Sequence, residues 1–336
     1  MATRTATKPR KPTIPTSMRA AAVDRFGPPA VLTLHTLPVP QPGRNEVLIA
    51  VHTAGVGIWD ASIRDGSWRP QGLRAEFPLV LGTDGSGIVV ARGAGVTRLK
   101  VRERAYAYDY ANPKGGFYAE FVAVSEKHAA RVPKRLDLRQ AGAAVTTGLT
   151  ALQGIDDALH IRRGETVLVF GASGAVGTLA VQFAKRHGAR VIGTASGRDA
   201  VALLRALGAS GVIDARNKGS EGQLRKLAPN GVDAVLALAG GSALERFLKH
   251  VRPGGRVAYA NGVEPEPHHR PKIRFTAYDA EVGPRQFAKL ELAVNQAKLR
   301  VPIAAVYTLA QAAKAHARLE KGHILGRIVL RTDAGK

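Results

Sequence analysis

The second half of the chain alternates between short apolar runs and stretches whose apolar residues recur with a helical period. The clearest case is the segment 165–196, in which Thr166–Phe170 predicts a buried strand and Arg190–Thr194 predicts a second one. Between them, the apolar spacing i, i+3, i+4, i+7 from Val176 to Phe183 predicts one apolar face on a helix. A strand, a glycine turn, a helix and a strand in this order form the βαβ unit that binds dinucleotides.

The same alternation continues after residue 196, which predicts a parallel, doubly wound sheet of the α/β class. The predicted strands are Gly211–Ala215, Val232–Ala237, Gly255–Ala260 and, at an edge, Lys272–Tyr278. The predicted helices are 139–160, 199–207, near 220–227 and 242–251.

The first part of the chain, from Met18 to about Val132, has short β-like runs separated by Gly, Pro and Asn, with no long helical pattern. This pattern indicates a barrel-like β domain. We expect a catalytic domain over 18–142 and a nucleotide-binding domain over 143–283. Beyond about Gly283 a helix, a strand near Ile303–Tyr307, a helix over 309–320 and a last strand Ile328–Arg331 are expected to return to the first domain as its completion, 284–336.

The glycines of the βαβ unit carry its chemistry. They remove side chains where a pyrophosphate must approach the backbone, and the helix that begins there offers unpaired N–H groups to the phosphates. The turn is expected to bind the cofactor through Gly171, Ser173, Gly174, Ala175, Val176 and Gly177.

The end of the second strand indicates which dinucleotide binds. NAD sites place a carboxylate there for the ribose hydroxyls, but this chain has Thr194, Ala195 and Ser196, followed by Arg198. A hydroxyl and a cation suit a 2′-phosphate, so the sequence predicts NADP(H). Arg216, after the next strand, is a further candidate near the adenine.

Charge and composition limit the kinds of ligand, chemistry and cellular location that are expected. The formal net charge is +23; residues 1–17 contribute +4 and are expected to form a disordered basic tail, while the remainder carries +19. Such an excess favours polyanions, including phosphorylated cofactors and nucleic acid. The 336 residues contain no cysteine, which excludes disulfides and thiolate chemistry. Without an apolar run long enough for a membrane helix or a secretory signal, a cytoplasmic protein is expected.

Several segments together resemble the medium-chain dehydrogenase/reductases, most closely the zinc-free quinone oxidoreductase branch of the zeta-crystallin type. These segments are PLVLGTDGSGIVVARGAGVTRLKV, GGFYAEFVAV, TTGLTALQGI, RRGETVLVFGASGAVGTLAVQFAKRHGARVIGTAS, RPGGRVAYANGV and GHILGRIVL. The resemblance covers about residues 18–332. It implies a GroES-like β-barrel-type domain joined to a Rossmann domain, an active site in the cleft between them, and a homodimer paired through 272–278.

The resemblance also implies roles for particular residues. Thr147 and Thr150 match a segment that lies by the nicotinamide in similar proteins. The ends of the later strands, where ligands lie in open α/β sheets, add Ala239, Gly240, Asn261 and Gly262 as cofactor candidates. Asp60, kept from the family's Asn-x-x-Asp turn whose amide is replaced by Gly57, is a candidate catalytic residue, with capping of the turn as the alternative. Trp59 and Trp68 are candidates for a flat apolar pocket wall, with ordinary packing as the alternative.

No metal site is expected. The positions that match zinc ligands of the zinc-dependent relatives hold Gly57, Thr83 and Ala143, none of which is a usual zinc ligand. The adjacent His268 and His269 have no partner ligands in the sequence around them.

Direct hydride transfer from NADPH to a quinone or an α,β-unsaturated carbonyl is therefore the expected activity. Two alternatives stay open at this stage. One is reduction of an enoyl thioester, whose carrier the basic surface would attract. The other is a non-catalytic, nucleic-acid-binding or structural role of the zeta-crystallin type, which the net charge permits although no RNA-binding motif is evident.

Overall fold

The computed structural model describes residues 14–68 and 76–334. The elements of the first part are β1 (Ser17–Val23), β2 (Leu32–Pro38), β3 (Glu46–Val56), α1 (Ile58–Asp65), β4 (Leu79–Val80), β5 (Asp84–Arg92), β6 (Arg104–Tyr108), β7 (Phe121–Ser125) and β8 (Ala129–Arg131). The middle part contains α2 (Leu138–Gln153), β9 (Thr166–Phe170), α3 (Ala175–Arg186), β10 (Arg190–Thr194), α4 (Arg198–Leu207), β11 (Gly211–Ile213), α5 (Ser220–Leu227), β12 (Val232–Ala237), α6 (Ser242–Leu248), β13 (Val251–Ala260) and β14 (Arg274–Tyr278). The last part is α7 (Pro284–Ala297), β15 (Ile303–Thr308), α8 (Ala312–Glu320) and β16 (Arg327–Arg331).

The middle part forms the predicted doubly wound sheet. Its six strands have the order β11-β10-β9-β12-β13-β14, and every pairing is parallel. The order reverses between β9 and β12, and such a reversal is where ligands bind in open α/β sheets. The central strand β9 is buried on both faces from Val167 to Phe170, which explains its continuous apolar run.

The C-terminal part pairs with strands of the first part. Strand β16 pairs with β3 antiparallel and with β15 parallel, so a seven-stranded sheet runs β15-β16-β3-β5-β6-β8, with β7 also paired to β3. A separate antiparallel sheet, β2-β1-β4, lies in the first part. Helix α2 packs against β3, β5 and β6 as well as against α3 and α7, so it crosses the boundary expected at residues 142–143.

Three expectations need correction. The disordered tail predicted for residues 1–17 is too long, because Ser17 begins β1 and Ile14 packs on the apolar cluster around Met18. Residues 1–13 lie outside the described residues. Helix α1 lies within the region that was predicted to be β-rich. It was not predicted, because its eight residues are too few for a helical period to stand out. Helix α6 ends at Leu248, earlier than expected, and β13 begins at Val251, where it pairs with Val232 before a register shift.

Two further expectations stay predictions. Strand β14 is at the edge of the six-stranded sheet, as the expected dimer contact requires, but no partner chain tests it. No helix among the described residues is long and apolar enough to span a bilayer, and the cytoplasmic location is untested.

A buried chain of polar side chains fastens α8 to the first part. Arg64 of α1 donates from Nη1 to Nδ1 of His316 (3.1 Å), so the neutral imidazole carries its proton on Nε2. That nitrogen lies 3.0 Å from the Tyr118 hydroxyl, which in turn donates to Asp60 (3.3 Å). At the other end, Arg64 forms an ion pair with Glu320 at 2.7 Å. Elements far apart in sequence are thus joined by satisfied buried groups, which are costly to disrupt.

This chain of contacts predicts a pH dependence of stability. Burial, and secondarily the Arg64 guanidinium, lowers the pKa of His316 to about 3, whereas a histidine in the unfolded chain titrates near pH ~6.5. Unfolding therefore takes up a proton below pH ~6.5, and the His316 contribution to the free energy of unfolding is lost as the pH falls from ~6.5 toward about 3. We expect His316→Gln to be less stable than the wild type at pH 8 and to lose less stability on acidification, measured by urea unfolding at several pH values.

Asp60 titrates with the opposite sign in the same pH range, so only the difference between wild type and variant isolates His316. The exposed His323 provides the control, since His323→Gln should keep the wild-type slope. An unchanged slope in His316→Gln would contradict the prediction.

Candidate functional site

Two adjoining cavities lie where the six-stranded and seven-stranded sheets meet. The first, of about 620 Å³, reaches from the glycine turn between β9 and α3 to the end of β3. The second, of about 850 Å³, lies beside it and has aromatic walls. The lining residues that both cavities share are Trp59, Thr83, Asn261, Gly262 and Glu264. A molecule in one cavity is therefore next to a molecule in the other.

Most residues expected to bind the cofactor come together around the first cavity. The predicted residues that line it are Thr147, Thr150, Gly171, Gly174, Ala175, Val176, Gly177, Ala239, Gly240, Asn261 and Gly262. Gly171 has a φ of 85°, a conformation that favours glycine. Helix α3 begins after Gly174 with no side chain capping it, so its first N–H groups are available to an anion.

Three of the residues expected to bind the cofactor have side chains that do not line the cavity or that already donate a hydrogen bond within the protein. The Ser173 side chain does not line the cavity; its carbonyl oxygen accepts a hydrogen bond from the Gly326 N–H at 3.0 Å. The hydroxyls of Thr147 and Thr150 donate to the carbonyls of Ala143 and Thr146, both at 2.9 Å, as threonines commonly do within helices.

The sequence predicts no acidic residue at the end of β10, but the structure places one there. Asp214, which follows β11, accepts a hydrogen bond from the Ser196 hydroxyl at 2.7 Å. Arg216 donates to the same carboxylate at 3.2 Å, and this bond, the largest cause, lowers the pKa of Asp214. Arg198 lines a separate depression of about 470 Å³ together with Asp214. The Ser196, Arg198 and Arg216 side chains thus surround a carboxylate that the sequence assigned to no role.

Trp59 closes the gap between the two parts of the molecule. A Cβ built on Gly262, whose φ is 87°, would lie 2.3 Å from the far edge of the Trp59 indole. The ring therefore packs directly on the backbone after β13, and only glycine leaves room for it. Trp59 lines both cavities, and its predicted role in the site stays a prediction.

Asp60 does not face either cavity, which corrects its expected catalytic position. Its side chain is fully buried, and its two oxygens accept the Gly57 N–H (2.7 Å) and the Thr83 N–H (3.0 Å). Burial, followed by the nearby Asp84 carboxylate, raises the pKa of Asp60 to about 7. Asp60 caps the first turn of α1 and fixes two backbone segments of the cavity wall, so any effect on a ligand is indirect.

Arg327 was missed by the sequence analysis. It lines the first cavity, is 8% exposed, and donates from Nη2 to the fully buried Asp84 at 3.0 Å. Its Nε is buried and has no hydrogen-bond partner among the described residues. A guanidinium that lines a cavity is suited to hold an anion there. In the sequence, Arg327 is marked only by the glycine that precedes it. Its partner Asp84 is 243 residues away, so no local pattern indicates the pair.

The second cavity has four aromatic side chains in its wall. Trp59 and Trp68 lie 4.9 Å apart between ring centroids, and Tyr108 and Tyr110 lie 5.9 Å apart. Trp68 lines this cavity and also packs on the apolar cluster of the first part, so both interpretations of this residue stay open. Burial raises the pKa of Tyr108 well above its usual range, so its phenol is protonated at neutral pH.

Within residues 14–68 and 76–334, no group of three or more His, Asp or Glu side chains is arranged to hold a metal ion. The positions Gly57, Thr83 and Ala143 carry no metal-binding side chain. His268 approaches Glu245 (3.3 Å), while the His269 ring stacks on Phe275.

Comparison with known proteins agrees with this architecture. The family model for the alcohol dehydrogenase GroES-like domain matches residues 43–134, and the model for zinc-binding dehydrogenases matches residues 175–278. The chain is 30% identical to the quinone oxidoreductase of Rattus norvegicus over 312 residues, covering 89% of this chain and 93% of the relative.

Two solved structures illustrate the range of cofactors among similar folds. A mycobacterial protein solved in complex with NADPH is 30% identical, with a TM-score of 0.82 over 94% of this chain and all of the other. A structure described as an NAD-dependent alcohol dehydrogenase is 31% identical, with a TM-score of 0.86 over 94% of this chain and 99% of the other.

Two glycines of the turn predict contrasting effects on stability. A Cβ on Gly177 would lie 2.4 Å from the Gly171 carbonyl oxygen, whereas a Cβ on Gly174 would meet only that oxygen at an ordinary 3.5 Å. We expect Gly177→Ala to lower the free energy of unfolding by about 1–3 kcal/mol through overpacking. Gly174→Ser should change it by less than about 0.5 kcal/mol, because serine is a good helix N-cap. Denaturant titration of both variants measures the contrast, and equal losses would contradict it.

Proposed function

The chain belongs to the medium-chain dehydrogenase/reductase superfamily, in its quinone oxidoreductase branch, and from this we propose that it is an NADPH-dependent oxidoreductase. We propose further that the acceptor is a quinone or an α,β-unsaturated carbonyl and that hydride transfer needs no metal. The observation that carries the proposal is the joining of a glycine-turn cavity to an aromatic cavity through Trp59.

The first cavity fits a dinucleotide. The uncapped start of α3 and the side-chain-free turn at Gly174 offer N–H donors to a pyrophosphate. Arg327 adds a cation beside the turn, because the backbone N–H of the neighbouring Gly326 donates a hydrogen bond to the Ser173 carbonyl oxygen in the turn. We assign the Arg327 guanidinium, which lines this cavity, to a phosphate oxygen. Thr147 and Thr150 line the end of the cavity assigned to the nicotinamide.

The preference for NADP(H) rests on the residues at the ends of β10 and β11. Arg198 and Arg205 line the same depression as Asp214, and Arg216 forms an ion pair with that carboxylate, so three arginines lie beside Asp214 and the local charge is positive. A 2′-phosphate gains from that balance, and the Ser196 hydroxyl is a further donor. Asp214 weakens the preference, because it competes for Arg216 and repels the phosphate.

The second cavity is assigned to the acceptor. When bound, the reduced cofactor supplies a hydride, and the acceptor takes up one proton to complete its reduction. Trp59 and Trp68 offer flat apolar surface on which a conjugated acceptor stacks beside the first cavity. The protonated Tyr108 phenol lines the same wall and is placed to donate a hydrogen bond to an acceptor oxygen, whose negative charge grows as hydride arrives.

A matched pair of substitutions tests the cofactor preference. Arg198→Ala removes a cation and should lower the ratio of NADPH to NADH affinity by about fivefold. Asp214→Asn removes the opposing carboxylate and should raise the same ratio by about as much. Fluorescence titration with both dinucleotides measures the two ratios. A wild-type protein that binds NADH at least as tightly as NADPH would overturn the preference.

The activity itself is tested by following NADPH oxidation with neutral quinones, enones and enoyl thioesters as acceptors. We expect quinones or enones to be reduced and the rate to be unchanged after dialysis against a chelator. Trp59→Ala should raise the KM for the acceptor at least tenfold, since it removes the shared wall. Loss of turnover on chelation would reject the metal-independent step, and absence of turnover with every acceptor would reject the proposed activity.

A further inference from the structure

The aromatic cavity beside Trp59 has an unusual charge for this protein. The chain carries 49 lysines and arginines against 26 aspartates and glutamates. Even so, the residues described as lining the cavity include Glu264, Asp279 and Glu281 but no lysine or arginine. The local sign is therefore opposite to that of the molecule as a whole.

Among the residues that the structure describes, no lysine or arginine forms an ion pair with these three carboxylates. Asp279 accepts a hydrogen bond from the Asn261 amide at 2.7 Å, and Glu281 accepts one from the Gln286 amide at 2.9 Å. Both donors are uncharged, and none of the three acids forms an ion pair with a described residue. Arg285 and Lys289 line a neighbouring depression with Asp279 and Glu281, but Lys289 is paired with Asp157.

The walls determine what shape of molecule this negative charge acts on. Two aromatic pairs, Trp59–Trp68 and Tyr108–Tyr110, face a cavity of about 850 Å³. Flat conjugated rings stack on such walls, and a cation beside an aromatic face is attracted by the ring itself. An anion in the same place faces three like charges and gains nothing from the rings.

On the premise of the oxidoreductase activity proposed above, we infer that this cavity selects its acceptor by charge. It takes flat acceptors that are neutral or carry a cationic group, and it excludes anionic ones. Thioesters of phosphopantetheine carriers, whose phosphates are anionic, belong to the excluded class. The net positive charge draws such polyanions to the surface of the molecule, but the acceptor cavity opposes their entry.

The test uses three naphthoquinones that share one ring system: the unsubstituted compound, its 2-sulfonate, and a derivative with a quaternary ammonium side chain. The variant is Glu264→Gln with Asp279→Asn and Glu281→Gln. We expect the ratio of kcat/KM for the sulfonate to that for the neutral quinone to rise about tenfold in this variant, because three solvent-exposed repulsions are removed. The corresponding ratio for the ammonium derivative should fall. Comparing each ratio between the variant and the wild type cancels the differing reduction potentials of the quinones, because these potentials enter the ratio of both proteins equally.

A control variant removes the same number of charges elsewhere, through Asp24→Asn, Glu291→Gln and Asp333→Asn. Its two ratios should stay at the wild-type values. A rise of the sulfonate ratio in the control equal to that in the cavity variant would assign the effect to net charge and overturn the inference. An unchanged ratio in the cavity variant would overturn it as well.

Binding can be measured without turnover because the only two tryptophans of the sequence, Trp59 and Trp68, both line this cavity. Quenching of their fluorescence gives dissociation constants for the three quinones. Should no quinone be reduced, the proposed activity fails, while the order of these constants still tests charge selection. Tighter binding of the sulfonate than of the neutral quinone in the wild type would contradict it.

Discussion

The buried ion pair between Asp84 and Arg327 is the interaction on which the site depends. Asp84 begins β5, Arg327 begins β16, and the same carboxylate also accepts the Thr146 N–H of α2 at 3.3 Å. Asp84 is fully buried and Arg327 is 8% exposed, so removing one partner would leave an uncompensated buried charge, a change that typically costs about 3–5 kcal/mol. The pair thus holds three segments together at the cavity wall.

Local patterns were enough to predict the nucleotide-binding part of the fold. Strands β9, β10 and β12 were predicted with the bounds that the structure has, because a strand buried on both faces reads as a continuous apolar run. The glycines of the turn were also identified from a local pattern, because the backbone conformation that requires each glycine involves only a few neighbouring residues. Helix α1 was missed because it has only eight residues, of which three are buried, so no helical period is visible in the sequence.

Contacts between distant segments could not be predicted from the sequence in the same way. The position of Asp60 behind the cavity wall depends on Thr83, Tyr118 and His316, which come from three separate regions. Similarly, Asp214 approaches Ser196 only because β10 and β11 are neighbours in the sheet. The sequence had correctly placed Ser196 at the end of a strand, but the acid beside it belongs to the next βα unit, and residue spacing gives no measure of that distance.

The place of β16 in the seven-stranded sheet has a consequence for how the protein is made. This strand lies between β3 and β15 although it consists of residues 327–331 of a 336-residue chain. Chains generally fold from the N-terminus onward as the ribosome delivers them. Here the first-synthesised strands must wait for residues 327–331 before their sheet is complete, whereas β9 to β14 form a sheet that is complete about fifty residues earlier. The six-stranded sheet is thus the first of the two that can reach its final strand pairing on the ribosome, although the other sheet contains the residues that are made first.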